Sequence, residues 1–107
     1  AYYREAIPGL QATGTHAGIA DCLAGLGGIL AREGRFDAAA QLLGAAVAQL
    51  SAEDADVLVH SERYEADADM IRAALGNAGF TAALETGRAL SVEAALAMTV
   101  APNVPYQ

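Results

Sequence analysis

The chain has 107 residues, of which 54% are hydrophobic and 6% aromatic, and its formal net charge at pH 7 is −7. This length and composition are typical of a single globular domain and exclude a disordered chain. Lysine is absent and the six basic residues are scattered arginines, which excludes a surface that binds nucleic acid by neutralising its phosphates.

Membrane and secretory segments are not predicted either. The longest uncharged segment, 38–52, is shorter and more polar than a membrane span requires. The chain does not open on a basic region followed by an apolar one. Cys22 is the single cysteine, so an internal disulfide is excluded. We therefore expect a cytoplasmic protein in which Cys22 is a small buried hydrophobic residue.

The opening sequence AYYREAI has the character of a helix interior but no capping residue before it. We therefore expect the chain to be one domain and a fragment of a longer protein. Pro8 and Gly9 are expected to end or kink this opening helix. Tyr2, Tyr3 and Ile7 would then form an exposed apolar edge, through which the fragment could form a homodimer.

The first complete helix is predicted between Thr15, which can cap its start, and Gly34, which occupies the usual position after a last turn. Three glycines in its interior, Gly25, Gly27 and Gly28, each cost about 1 kcal/mol relative to alanine. They predict a close approach to another helix. Its apolar stripe consists of Ile19, Leu23, Leu26 and Leu30.

A second helix follows, with Asp37 in its first turn, where the helix dipole favours a negative charge. Ser51 and Asp54 fit a capping box, so part of segment 51–60 is expected to be helical as well. The stripe of this second helix consists of Phe36, Ala39, Leu43, Ala46, Val47 and Leu50.

Three further helices are predicted before the sequence APNVPYQ at 101–107, which cannot continue a helix. Gly76 and Asn77 end one helix and start the next, and Ser91 starts the last one. Strand signals are nearly absent, so the predicted fold class is all-α with about five to six helices. The three stripes are Tyr64, Ala68, Ile71 and Leu75; Phe80, Ala83, Leu84 and Gly87; and Val92, Ala95, Leu96 and Thr99.

Acidic residues are concentrated in segment 51–69, where Arg63 is the one basic residue. The segment lacks the glycine and the final glutamate of a calcium loop. We interpret it as a solvated helix face, or alternatively as an acidic surface for a basic partner. Its acidic residues are Glu53, Asp54, Asp56, Glu62, Glu65, Asp67 and Asp69.

Residues 20–53 resemble the tetratricopeptide repeat, a pair of antiparallel helices of about 34 residues. The resemblance is carried by Leu23, Leu26, Gly27, Leu30, Gly34, Phe36, Ala39 and Ala46. Leu43, on the second stripe, completes the predicted helix-packing set. The resemblance implies a right-handed α-α superhelix of helix hairpins, in which Gly27 and Ala39 lie where the two helices approach most closely. It also implies that 1–14 is the remnant of a preceding repeat and that 61–99 forms C-terminal capping helices.

A wider stretch is similar to the C-terminal helical region of large bacterial regulators, the LuxR-type and SARP-type transcription factors with a central signal-transduction ATPase. Its most distinctive part, 75–94, is carried by Gly76, Phe80, Ala83, Gly87, Leu90, Ser91 and Glu93. The ATPase motifs and the helix-turn-helix domain of such regulators are not in this sequence, so neither activity is assigned to it.

In peptide-binding tetratricopeptide domains the first helices line a concave groove. The resemblance implies that this groove would hold Asp21, Ala24, Gly28, Ala31 and Arg32. The family's clamp for a peptide carboxylate uses lysine and asparagine, and Ala24 and Gly28 replace them. A groove of small residues suits another helix better.

No chemistry-bearing motif is found. Gly25 and Gly27 are not followed by the lysine of a phosphate-binding loop. His16 and His60 lack ligands at metal spacing, and no catalytic triad is recognisable. We therefore expect no catalytic residue, cofactor or metal. The leading hypothesis is a non-catalytic protein-interaction module that packs against neighbouring repeats or another chain. The alternatives are sensing of a small effector and self-association.

Overall fold

The computed structural model describes residues 16–98, which form five α-helices with no strand among them. The all-α prediction is confirmed for this part of the chain. Predictions that concern 1–15 and 99–107 lie outside it, including the Thr15 cap, the apolar edge at Tyr2, Tyr3 and Ile7, and the position of Thr99. The helices are α1 (His16–Arg32), α2 (Phe36–Ala48), α3 (Ala52–Val59), α4 (Glu62–Arg88) and α5 (Val92–Ala97).

Serine side chains begin the last three helices. The hydroxyls of Ser51, Ser61 and Ser91 accept hydrogen bonds from backbone N–H groups three residues later, at 3.2, 3.2 and 3.0 Å. Each bond satisfies one of the N–H groups that a helix start leaves without a partner. The starts predicted at Ser51 and Ser91 are confirmed, and segment 51–60 is indeed largely helical as α3.

Gly34 ends α1 in the way that the sequence predicts. Its φ is +84°, the Arg35 N–H donates to the Leu30 carbonyl at 2.9 Å, and the Gly34 N–H donates to the Ala31 carbonyl at 3.0 Å. This pair of bonds is the Schellman motif, which needs a left-handed residue after the last turn. Gly34 is exposed, and a Cβ added there would have open space around it, so its role is conformational.

Gly76 divides α4, as the sequence predicts. It has φ +80° and ψ 164° inside an otherwise helical run of 27 residues. Glycine alone adopts this combination readily, because a Cβ would collide with its own backbone. The interruption is one residue long rather than a loop. It changes the direction of α4 between its two predicted stripes.

Asparagine at Gly76 is expected to destabilise the fold by about 1–3 kcal/mol, because φ +80° with ψ 164° lies outside the left-handed region that asparagine tolerates. Asparagine at Gly34 is the matched control, since a Schellman position accepts it at small cost. Urea unfolding of the two variants checks the prediction. Equal losses at both positions would contradict it.

The central helix of the structure is α2, which packs against α1 on one side and most extensively against α4 on the other. Contact on two sides explains why it is buried beyond its predicted stripe, with Leu42 and Leu43 both fully inaccessible. Val47 and Leu50, at the end of that stripe, are only half-buried. The buried positions of α2 are Ala39, Ala40, Leu42, Leu43, Gly44, Ala45 and Ala46.

The closest helix crossing lies between α2 and the second part of α4. A Cβ added to Gly44 would overlap the Leu84 backbone carbonyl and lie 3.1 Å from the Arg88 nitrogen. A Cβ added to Gly87 would overlap the Gln41 carbonyl and lie 2.6 Å from the Gln41 Cα. Backbone therefore packs directly on backbone at this crossing, which only glycine permits on both helices.

Gly27 also faces α2, at a less restrictive contact. A Cβ there would lie 3.1 Å from Leu43 Cδ2 and 3.2 Å from the Ala39 carbonyl oxygen. The predicted approach of Gly27 to Ala39 is therefore present, but the tightest crossing in the described residues is at Gly44 and Gly87.

The two remaining helices pack at the edges. Ala95 of α5 is fully buried, and the Arg35 guanidinium donates to the Met98 carbonyl at 2.6 Å, which ties the end of α5 to the turn between α1 and α2. By contrast, α3 has no fully buried residue. None of the helices described by the structure combines the length and hydropathy that crossing a membrane would need.

Candidate functional site

A cleft of about 340 Å³ opens between α1, α3 and the start of α4. Fully buried Leu43 of α2 lies at its base. Ala20 and Ala24 line it from α1, and Val57 and Leu58 line it from α3. The side chains of these two alanines are small, so they leave space beside α1. Helix α3 packs on the core without filling that space.

Four polar or charged residues also line the cleft: Asp21, Ser61, Arg63 and Asp67. Asp21 and Arg63 are exposed, whereas Asp67 is only 1% exposed. The cleft is thus an apolar surface with carboxylates on α1 and α4, a combination that suits an amphipathic occupant.

Asp67 is the one buried charged residue among those described. Its carboxylate accepts a hydrogen bond from Arg32 Nη1 at 3.2 Å, and the same nitrogen donates to the Gly28 carbonyl at 2.9 Å. A buried charge is tolerated when it is paired in this way. The Arg32 side chain is 59% exposed, so this ion pair joins a buried carboxylate of the cleft lining to a side chain at the protein surface.

Gly28 gives Asp67 the room that it occupies. A Cβ at Gly28 would lie 2.6 Å from Asp67 Oδ2 and 3.1 Å from Arg32 Nη1. The interior glycines of α1 therefore serve two different neighbours, with Gly27 facing α2 and Gly28 facing the carboxylate of α4.

Gly28→Ala is expected to lower the free energy of unfolding by about 1–3 kcal/mol, since the added methyl group displaces a buried carboxylate. In an Asp67→Ala background the same substitution should cost much less, because the group that it displaces is gone. A double-mutant cycle by urea unfolding measures this coupling, expected at about 0.5–3 kcal/mol. Additive effects of the two substitutions would contradict the contact.

The residues predicted to line a groove are divided by the structure. Asp21 and Ala24 line the cleft, whereas Gly28 and Arg32 contact Asp67. Ala31 is 2% exposed and lies in the core. The predicted groove is therefore open at Asp21 and Ala24, whereas at Gly28 and Arg32 it is occupied by Asp67 of α4.

The residues predicted to pack helices together are mostly inaccessible. Phe36 is half-buried against the core, and Gly34 is exposed at its turn. The other seven are buried: Leu23, Leu26, Gly27, Leu30, Ala39, Leu43 and Ala46.

Sequence reasoning missed three features that shape the site and its support. The interpretation of the acidic segment as a solvated helix face is wrong for Asp67, which is buried, although the other six carboxylates of the segment are exposed. Asp67 follows Tyr64 by three residues and precedes Ile71 by four, a spacing that places it on the apolar face. Gly44 and Gly87 carried the same signal as Gly27, a glycine inside a helix.

Three titratable groups have a raised pKa, and one of them, Tyr64, lines the cleft. Burial raises the pKa of the Cys22 thiol, and the Asp21 carboxylate adds to this. Burial also raises the pKa of the Tyr64 phenol, with Arg72 and Arg88 opposing. The exposed His60 ring lies at the C-terminal end of α3, and the hydrogen bond between this ring and the Asp56 carbonyl raises the pKa of His60. Both buried groups thus stay neutral at pH 7, so neither offers a nucleophile.

A second, shallower depression of about 520 Å³ lies on the other side of Tyr64. Two of its charged side chains are already paired with each other: Arg72 lies 2.8 Å from Asp69 and 4.8 Å from the centre of the Phe80 ring. Across residues 16–98, no three metal-ligating side chains come together. The cleft at α1, α3 and α4 is therefore the better candidate site.

No family model, curated protein or solved structure gives a match to this chain. Function is therefore inferred from the residues of the cleft and of the helix crossings.

Proposed function

We propose that the chain is a non-catalytic protein-interaction module that binds a helical segment of another protein in the cleft between α1, α3 and α4. The proposal includes the tetratricopeptide-type arrangement of α1 and α2, and membership of a cytoplasmic bacterial transcriptional regulator. Its neighbours would be further repeats or a separate chain.

The cleft is the observation that carries the proposal. Its walls are largely apolar, and Val57 on its rim is 71% exposed. An apolar groove between helices is the surface on which an amphipathic helix docks. The perturbed groups next to it, Cys22 and Tyr64, have raised rather than lowered pKa values, which favours binding over nucleophilic chemistry.

The repeat arrangement is supported by the positions of the contacts between α1 and α2. Gly27, seven residues before Gly34, faces Ala39 and Leu43, which follow Gly34 by five and nine residues. Such pairing across a turn is expected of two helices that run antiparallel. The residues that carry the resemblance to bacterial regulators include Phe80, Ala83 and Gly87, all of them buried.

A peptide-selection experiment tests the proposed function. A library of random segments of about 15 residues, long enough to form a helix, is selected on the full chain and then measured against Ala24→Trp. Tryptophan at this position is expected to fill the cleft from α1. Val57→Ser is the second variant, because it removes an exposed apolar rim without touching the core.

We expect selected peptides that bind the natural chain and lose affinity for both variants, while both variants retain the helical circular dichroism and melting temperature of the parent. Peptides that bind all three proteins equally would assign binding to another surface. Failure to select any peptide would count against an interaction module.

A small effector is the second candidate, because a cleft of about 340 Å³ falls within the range of small-molecule sites, about 300–1,000 Å³. A ligand that binds only the folded state must raise its melting temperature. A screen would identify metabolites by this rise. A metabolite that raises the melting temperature of the natural chain, but not that of Ala24→Trp, would favour this candidate over a protein segment.

A further inference from the structure

We propose that the occupant of the cleft is an amphipathic helical segment whose apolar face is flanked by lysine or arginine residues. This inference rests on the proposed function and names the chemistry of its partner. The observation that carries it is the negative charge of α3 and of the start of α4, the two helices that the partner must approach.

The residues that line the cleft are largely apolar, but α3 and the first turns of α4, which form two of its sides, are strongly acidic. Helix α3 and the first turns of α4 carry six exposed carboxylates and one exposed basic side chain, Arg63. Carboxylates beside an apolar cleft raise the local concentration of cations and speed the approach of a basic partner. The six are Glu53, Asp54, Asp56, Glu62, Glu65 and Asp69. Glu53 and Asp54 lie one helical turn before the cleft residues Val57 and Leu58, whereas Glu65 and Asp69 line the depression on the other side of Tyr64.

Most of these carboxylates are available to a partner. Asp56 faces His60 at 3.4 Å and Asp69 pairs with Arg72 at 2.8 Å. The other four make no ion pair within the part of the chain that the structure describes. A basic partner could therefore pair with these four carboxylates without displacing an ion pair of the described residues.

The apolar part of the occupant is set by the cleft itself. Ala20 and Ala24 lie one turn apart on α1, and Val57 and Leu58 face them from α3. The space of about 340 Å³ accommodates a few aliphatic side chains, such as those that recur at every third or fourth position of a helix. Asp21, exposed on the rim, lies beside this apolar lining and suits a cationic side chain at the edge of such a face.

The test uses two synthetic peptides of about 15 residues with the same leucine and alanine face, one flanked by lysine and the other by glutamate. Fluorescence anisotropy measures their affinity for the full chain. We expect the lysine peptide to bind more tightly. Its affinity should fall as ionic strength rises from about 0.01 M to about 1 M, where the Debye length shrinks from about 30 to about 3 Å.

Matched charge variants locate the effect. The triple variant Glu53→Gln, Asp54→Asn and Asp56→Asn neutralises α3 and should weaken the lysine peptide about tenfold at low salt. The control neutralises three exposed carboxylates outside the cleft walls, Glu33→Gln, Asp37→Asn and Glu85→Gln. It removes the same number of negative charges and should leave affinity nearly unchanged.

Each other result overturns the inference in a distinguishable way. If both peptides bind equally and Ala24→Trp abolishes both, the cleft binds a helix without charge selection, and the proposed function alone survives. If neither peptide binds and the library yields none, both proposals fail. If light scattering shows a dimer of the full chain that Ala24→Trp dissociates, the occupant is a second copy of this chain.

Discussion

Gly87→Ala is expected to lower the free energy of unfolding by about 3 kcal/mol or more, the upper end of the cost of overpacking. The added methyl group would lie 2.6 Å from the Gln41 Cα and closer still to its carbonyl. Backbone atoms cannot move aside as a flexible side chain can, so α2 and α4 must separate. Thermal unfolding followed by circular dichroism should show a melting temperature lower by about 12 °C or more.

Gly27→Ala is the matched control. Its methyl group would meet Leu43 Cδ2 at 3.1 Å and the Ala39 carbonyl oxygen at 3.2 Å. The leucine methyl can shift by a few tenths of an ångström, and alanine gains about 1 kcal/mol of helix propensity. We therefore expect a change within about 1 kcal/mol. A cost at Gly27 equal to that at Gly87 would contradict the assignment of the tightest crossing.

The same crossing predicts coupling between its two glycines. Gly44→Ala alone should also be strongly destabilising, because its methyl group overlaps the Leu84 carbonyl. Once α2 and α4 have separated to accommodate one methyl group, the second has more room. The double variant with Gly87→Ala should therefore cost less than the sum of the single variants.

Leu42→Ala is expected to cost about 2–5 kcal/mol, the range measured for large-to-small substitutions in cores. Leu42 is fully inaccessible, although the stripe predicted for α2 contains Leu43 and not Leu42. The cost arises because α2 is enclosed from two sides, so that the truncated side chain leaves a cavity that the surrounding helices cannot close.

Leu43→Ala and Val57→Ala complete this comparison. Leu43 is as inaccessible as Leu42, so Leu43→Ala should lower the free energy of unfolding by about as much as Leu42→Ala. Val57 is 71% exposed, so Val57→Ala should change it by less than about 0.5 kcal/mol. Urea unfolding of the three variants decides the point. A Leu42→Ala variant as stable as Val57→Ala would mean that α2 is covered on one side only.

Local structure was largely predictable from the sequence. The C-terminal end of α1 and the starts of α3 and α5 follow from Gly34, Ser51 and Ser91, because these residues satisfy or redirect backbone groups within a few positions of themselves. Gly76 divides α4 for the same reason. Such signals need no knowledge of distant residues.

The candidate site was only partly predictable. Asp21 and Ala24 line the cleft as the resemblance implied, but Gly28 and Arg32 of the same set contact Asp67 instead. Which part of α1 stays open depends on where α4 crosses it, and that position depends on packing between segments far apart in the chain. The interpretation of segment 51–69 as a solvated helix face included Asp67, whereas the position of Asp67 on the helix places it inward.

The sequence by itself determined the all-α character of the described residues, the glycines that end α1 and divide α4, the serines that begin α3 and α5, and the acidic character of segment 51–69. The tertiary structure decided which glycines meet a neighbouring backbone and where an apolar cleft remains. Gly27 and Gly44 look alike locally, since each interrupts a helix of small and apolar residues. They differ in what faces them: a Cβ at Gly27 would touch a leucine side chain and a backbone carbonyl at just over 3 Å, whereas a Cβ at Gly44 would overlap the backbone of α4. A helix crossing depends on the relative positions of two segments, and no local pattern encodes that.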